Sequence, residues 1–311
     1  MLAASRLPVT VIGGYLGSGK TTLVNHLLRN ANGRRLAVLV NDFGGLPIDR
    51  DLIEAEDEQI ISIAGGCVCC SYGSDLTDGL RRLLQAQPRP NHLVIESSGV
   101  ALPNAVASSV SLVEPYRMGA VCVVCDASSI LELRSDRYLA DTVIAQIEGA
   151  DLVLLNKTDL AGPERQQAAV DWVNHLAPGI PILPTLQARL PIEVILDISL
   201  ENRSPSLRGI FHDTSFYETA QVCVPDPVDT AGLARALTDG ALGILRAKAI
   251  LRDPVAGIVQ LHVVGRRCDV HPWKGQQPNP GNLITIGIGP NANQQHIERL
   301  IKQYIRTESA Q

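Results

Sequence analysis

The 311-residue chain has no excess of basic residues, no long apolar run and no leader-like N-terminus. Its 27 Lys and Arg residues are outnumbered by 32 Asp and Glu residues, whereas a nucleic-acid binder usually carries a basic domain or stripe. No apolar run reaches the roughly 18 residues that indicate a membrane span. Residues 1–6 lack the charged start and long apolar core of a signal peptide. We therefore expect a cytoplasmic protein that binds neither nucleic acid nor a membrane.

Metal-ligating residues are scarce and unevenly distributed. The chain has seven histidines, no histidine-rich tract and seven cysteines, of which Cys67, Cys69 and Cys70 stand together. A closed structural zinc site normally takes four ligands, often from two separated pairs, and no second CxxC partners this cluster. Cys122 and Cys125 lie within an apolar predicted strand, where we expect them to be buried as small apolar residues. In a reducing compartment such a cluster is typical of an incomplete, exchangeable site for zinc, cobalt or copper. A redox pair or buried structural cysteines are the alternatives.

Apolar, β-branched runs alternate with helical patterns over the first part of the chain. The runs are almost continuously apolar, as in a parallel sheet that is covered on both faces. This alternation predicts an α/β fold with a doubly wound, mostly parallel sheet. The predicted strands are Val9–Ile12, Leu36–Val40, Ile60–Ile63, Leu93–Ile95, Ala120–Cys125, Leu152–Leu155 and Pro181–Leu183, and the predicted helices are Lys20–Arg29, Leu76–Leu84, Ala140–Glu148 and Glu164–His175.

The pattern changes near residue 200, where residues 199–209 are polar and turn-rich like a linker. We therefore predict two domains, residues 1–205 and residues 206–311, the second being a smaller α+β domain. Asp229 or Thr230 is the expected N-cap of its first helix. The predicted strands of this domain are Ser215–Val224, Ile244–Leu251, Gly257–Val264 and Leu283–Ile288, and its predicted helices are Asp229–Leu242 and Asn293–Ile305.

A glycine-rich loop follows the first predicted strand. Residues 14–21 read GYLGSGKT, which matches G-x-x-x-x-G-K-[ST] in the strand–loop–helix context that this motif requires. Backbone N–H groups and the helix N-terminus would bind phosphate oxygens, with an ordinary glycine-rich turn as the alternative. We expect Lys20 to reach the β- and γ-phosphates and the Thr21 hydroxyl to bind Mg²⁺. The predicted nucleotide-binding residues of this loop are Gly14, Gly17, Ser18, Gly19, Lys20, Thr21 and Thr22.

A second motif, Asn156-Lys157-Thr158-Asp159, follows the predicted strand Leu152–Leu155. The Asp159 carboxylate could accept hydrogen bonds from N1–H and the exocyclic amine of guanine, a pair of donors that adenine lacks. Asn156 and Lys157 would brace the loop and stack along the base. Four-residue patterns are common, but this one lies at a strand end after a phosphate loop. We therefore predict a GTP site, with a polar turn as the alternative.

Acidic residues end two further predicted strands. Glu96 follows Leu93–Ile95 and could supply the Mg²⁺ carboxylate, and Gly99 would allow close approach to the γ-phosphate. Asp42 follows Leu36–Val40 and could touch Mg²⁺, orient the attacking water or bind the second metal. The predicted catalytic residues are accordingly Lys20, Asp42 and Glu96. Asp49 is a weaker candidate of the same kind as Asp42, and a loop-capping role is an equal alternative for it.

Together these segments resemble the CobW family of metal-chaperone GTPases. The matching stretches in the first 160 residues are GGYLGSGKTTLVNHLL, NDFGGLPID, AGGCVCC, VIESSGVALP and NKTDL, and FHDTSFYE, GILRAKAILR and HPW are weaker markers later. The resemblance implies transition-metal binding at Cys67, Cys69 and Cys70. Where the family usually reads N-E-F-G-E, this chain has Asp42 and Gly45, so it lacks a second carboxylate there.

These features predict a Mg²⁺-dependent GTPase that delivers a transition metal to a client apo-metalloprotein. The cysteine cluster lies between the phosphate loop and Glu96, where GTPases carry segments that change order on hydrolysis. Zinc is the default because thiolates suit its tetrahedral sites, with cobalt as the alternative. A regulatory GTPase with a structural zinc site, or a P-loop kinase or ATPase, are the competing functions. The sequence leaves open the client and whether the chain forms a homo-oligomer.

Overall fold

The computed structural model describes residues 6–40, 61–64, 74–197, 217–273 and 281–305. The chain divides into two compact units, Met1–Pro178 with Ile182–Asp197, and Gly179–Pro181 with Ile198–Gln311. The domain boundary that we predict at residue 205 lies outside the described residues and stays a prediction. Within the described ranges, no helix is long and apolar enough to cross a membrane.

The first unit is built around a seven-stranded sheet in which every pair of neighbouring strands is parallel. The strand order is β3-β2-β4-β1-β5-β6-β7, so β1 is central. This sheet confirms the predicted α/β class. Its strands are β1 (Leu7–Gly13), β2 (Leu36–Val40), β3 (Ile61–Ala64), β4 (His92–Glu96), β5 (Tyr116–Asp126), β6 (Leu152–Asn156) and β7 (Ile182–Pro184).

Helices connect these strands, as parallel neighbours require. Apolar side chains of α2 and α3 pack with those of β1, β2, β4 and β5 in one buried cluster that includes Leu80, Val110 and Leu93. The helices of the unit are α1 (Lys20–Arg29), α2 (Ser74–Leu84), α3 (Pro103–Ser111), α4 (Ile130–Leu133), α5 (Ala140–Glu148), α6 (Thr158–Ala161), α7 (Pro163–Leu176) and α8 (Ile192–Ile195).

Helix α3 is one that the sequence pattern does not predict. It begins with a proline at its first turn and is rich in serine, a residue whose hydroxyl competes for backbone hydrogen bonds. In the structure Ser108, Ser109 and Ser111 each donate to the carbonyl four residues earlier, so the hydroxyls are accommodated within the helix. Packing against the sheet therefore outweighs a weak local propensity.

The second unit contains a five-stranded antiparallel sheet with strand order β11-β10-β9-β12-β8. Two helices and one face of this sheet enclose a buried core that includes Leu233, Leu261 and Ile297. The α+β character predicted for this unit is confirmed. The elements are β8 (Tyr217–Cys223), α9 (Thr230–Thr238), β9 (Ile244–Asp253), β10 (Gly257–Val264), β11 (Arg267–Pro272), β12 (Asn282–Ile288) and α10 (Gln294–Ile301).

Strand β11 and the C-terminal ends of both helices differ from the sequence-based expectation, and α10 ends at Ile301 rather than at Ile305. Strand β11 is not predicted, because Arg267–Pro272 is polar and only partly buried at the edge of the sheet. Helix α9 begins as predicted, with the Asp229 carboxylate accepting a hydrogen bond from the Gly232 amide at 2.9 Å. It ends earlier than expected, since Gly240 has a positive φ of 83° that a helix cannot continue.

Candidate functional site

The glycine-rich loop connects the carboxyl end of β1 to the first turn of α1. Gly14 and Gly19 have φ angles of 129° and 109°. A Cβ atom on Gly14 would lie 2.1 Å from the Val124 carbonyl oxygen, and one on Gly19 would lie 2.4 Å from Nδ2 of Asn156. Both positions therefore require glycine, for backbone conformation and for space. The loop consequently lies close to the ends of β5 and β6.

Polar side chains of this loop are directed inward. The Ser18 hydroxyl is buried and has no hydrogen-bond partner among the described residues. Lys20 is also buried, and its Nζ donates to the Tyr15 carbonyl oxygen at 3.3 Å, across the loop. Thr22 is exposed on the first turn of α1. A buried hydroxyl, a buried cation and a helix N-terminus are together suited to an anion such as a phosphate group.

Thr21 and Glu96 meet beside this loop. The register of β1 and β4 pairs Ile12 with Glu96, so Glu96 ends its strand next to the start of the loop. The Thr21 hydroxyl donates to Oε1 of Glu96 at 2.9 Å, and Glu96 is 2% exposed. Hydroxyl and carboxylate oxygens are the ligands that Mg²⁺ prefers, so the oxygen atoms of Thr21 and Glu96 fit that ion.

The segment after Glu96 packs against the glycine-rich loop. The Ser97 amide donates to the Ile12 carbonyl oxygen at 2.9 Å. A Cβ atom on Gly99 would lie 2.9 Å from the Leu16 backbone nitrogen and closer still to the Leu16 side chain. Glycine at this position therefore permits close contact between the two segments, and the segment that follows Glu96 lies beside the glycine-rich loop.

Asn156 joins the glycine-rich loop to the second motif. Its Nδ2 donates to the Ser18 carbonyl oxygen at 3.0 Å. Its Oδ1 accepts from the Ala188 amide at 2.8 Å and from the Thr185 hydroxyl at 3.3 Å. The side chain is buried, so these bonds hold together three segments that are distant in the sequence. Asp159 lies exposed in the short helix α6 that follows, where its carboxylate is accessible.

Lys157 has a partner that the sequence does not suggest. Its backbone is left-handed, with φ of 58°, and its Nζ donates to Oδ2 of Asp126 at 2.7 Å. Oδ1 of Asp126 accepts from the Ser128 amide and hydroxyl at 2.8 and 2.6 Å. Burial alone would raise the pKa of Asp126, but the hydrogen bonds from Lys157 and Ser128 outweigh it and hold the pKa below its usual value. Asp126 is an acidic residue at the end of a strand, β5, and the same feature identified Glu96 from the sequence.

The segment after β7 is a further part of the site that sequence reasoning does not find. The Thr185 carbonyl oxygen accepts from the Thr158 hydroxyl at 3.2 Å. Gln187 and Ala188 both have positive φ angles, near 51° and 52°. Farther along, Nε2 of His26 on α1 donates to the Leu190 carbonyl oxygen at 2.7 Å. Residues 185–190 therefore form a wall beside the loop that carries Asn156 and Asp159.

Burial lowers the pKa of His26, and its hydrogen bond to the Leu190 carbonyl opposes that shift only in part. The ring is therefore neutral near pH 7. Since a carbonyl oxygen can only accept, the proton lies on Nε2, and Nδ1 accepts from the Asn30 side-chain amide at 3.2 Å. Both ring nitrogens are thus satisfied in a single tautomer.

The predicted transition-metal site and two of the predicted acidic residues lie outside the described residues; they are Cys67, Cys69, Cys70, Asp42 and Asp49. Within the described ranges, no three His, Cys, Asp or Glu side chains are grouped closely enough to hold a metal ion. Cys122 and Cys125 are buried in β5, as expected for small apolar residues, and burial raises the pKa of the Cys125 thiol to about 12.

Comparison with known proteins identifies the relatives of both units. Residues 8–184 match the family described as CobW/HypB/UreG, nucleotide-binding domain. Residues 217–305 match the cobalamin synthesis protein cobW C-terminal domain. The first match covers the glycine-rich loop, Glu96 and the Asn156 motif.

Three curated relatives illustrate the similarity. The zinc chaperone YjiA of Escherichia coli is 35% identical over 311 residues, covering 91% of this chain and 94% of its own length. The zinc chaperone CobW of Sinorhizobium is 26% identical over 321 residues, covering 93% and 87%. The zinc-regulated GTPase metalloprotein activator 1 of Dictyostelium discoideum is 30% identical over 233 residues, covering 63% of this chain and 49% of its own length. The chain therefore belongs to the CobW/HypB/UreG family of P-loop GTPases, with a CobW C-terminal domain after the nucleotide-binding domain.

Proposed function

We propose that this protein is a GTP-dependent metallochaperone of the CobW class, which binds a transition metal and transfers it to a client apo-metalloprotein. The observation that carries the proposal is the meeting of three elements at one edge of the parallel sheet. They are the glycine-rich loop, the Thr21–Glu96 pair and the Asn156 motif, which Asn156 connects directly to the loop. Relatives named as zinc chaperones that align over nearly the whole chain support the same function.

On the phosphate side, the buried Ser18 hydroxyl and the Lys20 ammonium group would bind phosphate oxygens together with the backbone amides of the loop. Thr21 and Glu96 would hold Mg²⁺, which when bound neutralises charge on the phosphates. Their existing hydrogen bond keeps the two oxygen atoms adjacent before an ion enters. Lys20 is held by the Tyr15 carbonyl within the same loop, so it lies near the phosphate position without a large movement.

On the base side, the Asp159 carboxylate would accept hydrogen bonds from N1–H and the exocyclic amine of guanine. Asn156 keeps this loop in place through the bonds to Ser18 and Ala188. Lys157, held by Asp126, would extend its aliphatic stem along the base. We therefore expect the protein to bind GTP in preference to ATP, and competition between the two nucleotides for a labelled guanine nucleotide tests this directly.

The transition metal is the cargo, and we propose that Cys67, Cys69 and Cys70 bind it, with Asp42 as a further ligand either of this metal or of Mg²⁺. Thiolates are soft ligands that suit zinc and cobalt. Zinc is preferred here because thiolates suit its tetrahedral sites and because the relatives above are named for zinc. GTP would favour the metal-binding arrangement, and hydrolysis would release the metal to the client.

The decisive experiment is a titration of the purified protein with Zn²⁺ and, in parallel, Co²⁺, in the presence of GTP–Mg²⁺ or GDP. We expect tighter metal binding with GTP, and loss of that binding when Cys67, Cys69 and Cys70 are changed to Ser. Cys223→Ser is the matched control, because Cys223 is an exposed cysteine of the second unit. Unchanged metal affinity in the triple variant would contradict the proposed cysteine site.

The same titration separates delivery from a purely structural role. If zinc is bound equally tightly with GTP, with GDP and without nucleotide, a regulatory GTPase with a structural zinc site is the better description. Transfer of radioactive zinc to an apo-metalloprotein during GTP hydrolysis, and its absence with a non-hydrolysable GTP analogue, would support the metallochaperone.

A further inference from the structure

Gln146 lies on α5, on the helix face that also carries Val143 and Ile147. Its neighbours on that face are apolar, and Gln146 itself is only 1% exposed. A primary amide in such a position is costly unless its hydrogen-bonding groups are satisfied. The sequence contains this signal as a glutamine within the apolar stripe of a helix, but it does not identify the partners.

The partners are two backbone carbonyls of the segment that follows Glu96. Nε2 of Gln146 donates to the Gly99 carbonyl oxygen at 3.1 Å and to the Ala101 carbonyl oxygen at 2.8 Å. An amide group has two N–H donors, so both are used on the same short segment. Gln146 therefore fixes the backbone of residues 99–101 from the side of α5.

This segment is fixed from its other end as well. The Ser97 amide and hydroxyl both donate to the Ile12 carbonyl oxygen of β1, at 2.9 and 3.2 Å. Between these two attachments Gly99 packs against Leu16 of the glycine-rich loop. The position of Gly99 relative to the phosphate loop is thus set by Ser97 on one side and by Gln146 on the other.

We propose that Gln146 is a positioning residue for GTP hydrolysis. By holding the carbonyls of Gly99 and Ala101, it keeps residues 97–101 against the phosphate loop, where the terminal phosphate of GTP would lie. Gln146 does not itself touch the nucleotide. This inference rests on the proposed function, because it assigns a role in the hydrolysis of the GTP that the site binds.

The proposal distinguishes the terminal phosphate from the rest of the nucleotide. GDP lacks that phosphate and relies on the glycine-rich loop and the Asn156 motif, which Gln146 does not contact among the hydrogen bonds described. A displaced 97–101 segment should therefore weaken hydrolysis and the binding of GTP analogues, while GDP affinity stays the same. A residue needed only for folding would weaken both nucleotides together.

The test compares Gln146→Met with the wild-type full-length chain. Methionine has nearly the same length but no N–H group, so it fills the space without holding the carbonyls. We expect kcat for GTP to fall about 10- to 100-fold, the scale typical when reacting groups are misplaced by about an ångström. Affinity for a non-hydrolysable GTP analogue should fall measurably, and GDP affinity should remain within about twofold of wild type.

Gln167→Met is the matched control. Gln167 is an exposed glutamine on α7 whose amide donates to Asp171 at 2.8 Å, so it loses a comparable hydrogen bond away from the site. Its kcat and both nucleotide affinities should equal those of the wild type. If Gln146→Met does not fold, Gln146→Asn provides a second variant, because the amide is retained on a chain one methylene shorter and cannot reach both carbonyls. The same separation of GTP-analogue and GDP affinity is expected.

Two results would overturn the proposal. One is a Gln146 variant with wild-type kcat, and the other is an equal loss of GDP and GTP-analogue affinity, which would indicate a structural role. Failure of the proposed function gives a different result, since the wild-type chain itself would then not bind or hydrolyse GTP.

Discussion

Asn156→Ala is the substitution with the clearest structural consequence. It removes the side chain that donates to the Ser18 carbonyl and accepts from the Ala188 amide, at 3.0 and 2.8 Å. Asn156 is 2% exposed, so water does not readily replace these bonds. The change therefore leaves two backbone groups unsatisfied, one in the glycine-rich loop and one in the segment after β7.

The magnitude follows from these two groups. A buried donor or acceptor left without a partner costs about 1–3 kcal/mol, so Asn156→Ala should destabilise the first unit by about 2–6 kcal/mol. Thr185→Val is a graded control, because it removes only the hydroxyl bond to Asn156, which is 3.3 Å long. A neutral hydrogen bond of this kind contributes about 0.5–1.5 kcal/mol, so the control should be clearly milder.

Urea unfolding followed by tryptophan fluorescence measures both variants. The chain has two tryptophans, Trp172 on α7 of the first unit and Trp273 after β11 of the second. In a Trp273→Phe background, Trp172 reports on the first unit alone. If Asn156→Ala loses no more stability than Thr185→Val, the side chain does not hold the three segments together and the reasoning is wrong. Guanine-nucleotide affinity, measured on the folded variants, should follow the same order.

Three further predictions concern backbone space and charge. Gly17→Ala should lower the free energy of unfolding by about 1–2 kcal/mol, because the position has φ of 72° but open space for a methyl group. Gly14→Ala should lower it by about 1–3 kcal/mol more, because its Cβ would strike a backbone carbonyl of β5, and urea unfolding of the two variants tests the difference. The pKa of His26 is lower in the folded protein than its value of about 6.5 in the unfolded chain, so the stabilising effect of the neutral ring is present above pH 6.5 and is lost as pH falls through the folded-state pKa. In His26→Gln, the free energy of unfolding should therefore depend less on pH between 7 and 5. Asp126 also has a lowered pKa, so Asp126→Asn should lower the free energy of unfolding by about 1–2 kcal/mol at pH 7. The difference in stability from the wild type should shrink as pH falls below about 3.9, where the carboxyl group of the unfolded chain becomes protonated. A constant difference down to pH 3 would contradict the ion pair with Lys157.

The fold class could be predicted from the sequence because its signals are local. Strand β2 is apolar throughout and β6 is apolar up to its last residue, Asn156, and the structure buries every residue of both. The glycine-rich loop is likewise recognisable from the sequence, since its glycines, Lys20 and the start of α1 lie within one short stretch of the chain. Strand β11 and helix α3 could not be predicted in this way. One is a polar edge strand and the other a serine-rich helix, and both are defined by what they pack against.

Contacts between distant residues account for the parts of the site that the sequence does not reveal. Gln146 is separated from its partners Gly99 and Ala101 by 47 and 45 residues. Asp126 and Lys157 are 31 residues apart, and their approach depends on the neighbouring positions of β5 and β6 in the sheet. A strand order that differs from chain order is set by the whole core, so no local pattern predicts which polar side chains meet.

Buried polar groups also show where the nucleotide-binding unit ends. The family match stops at residue 184, but the structural unit continues to Asp197. The Thr10 hydroxyl, fully buried in β1, donates to the Ile195 carbonyl oxygen at 2.9 Å, and Arg117 pairs with Asp197 at 2.8 Å. His26 donates to the Leu190 carbonyl oxygen, and Asn156 accepts from the Ala188 amide. Ending the chain at residue 184 would remove these partners, and each buried group left without a partner costs about 1–3 kcal/mol. The nucleotide-binding unit therefore requires the segment through residue 197.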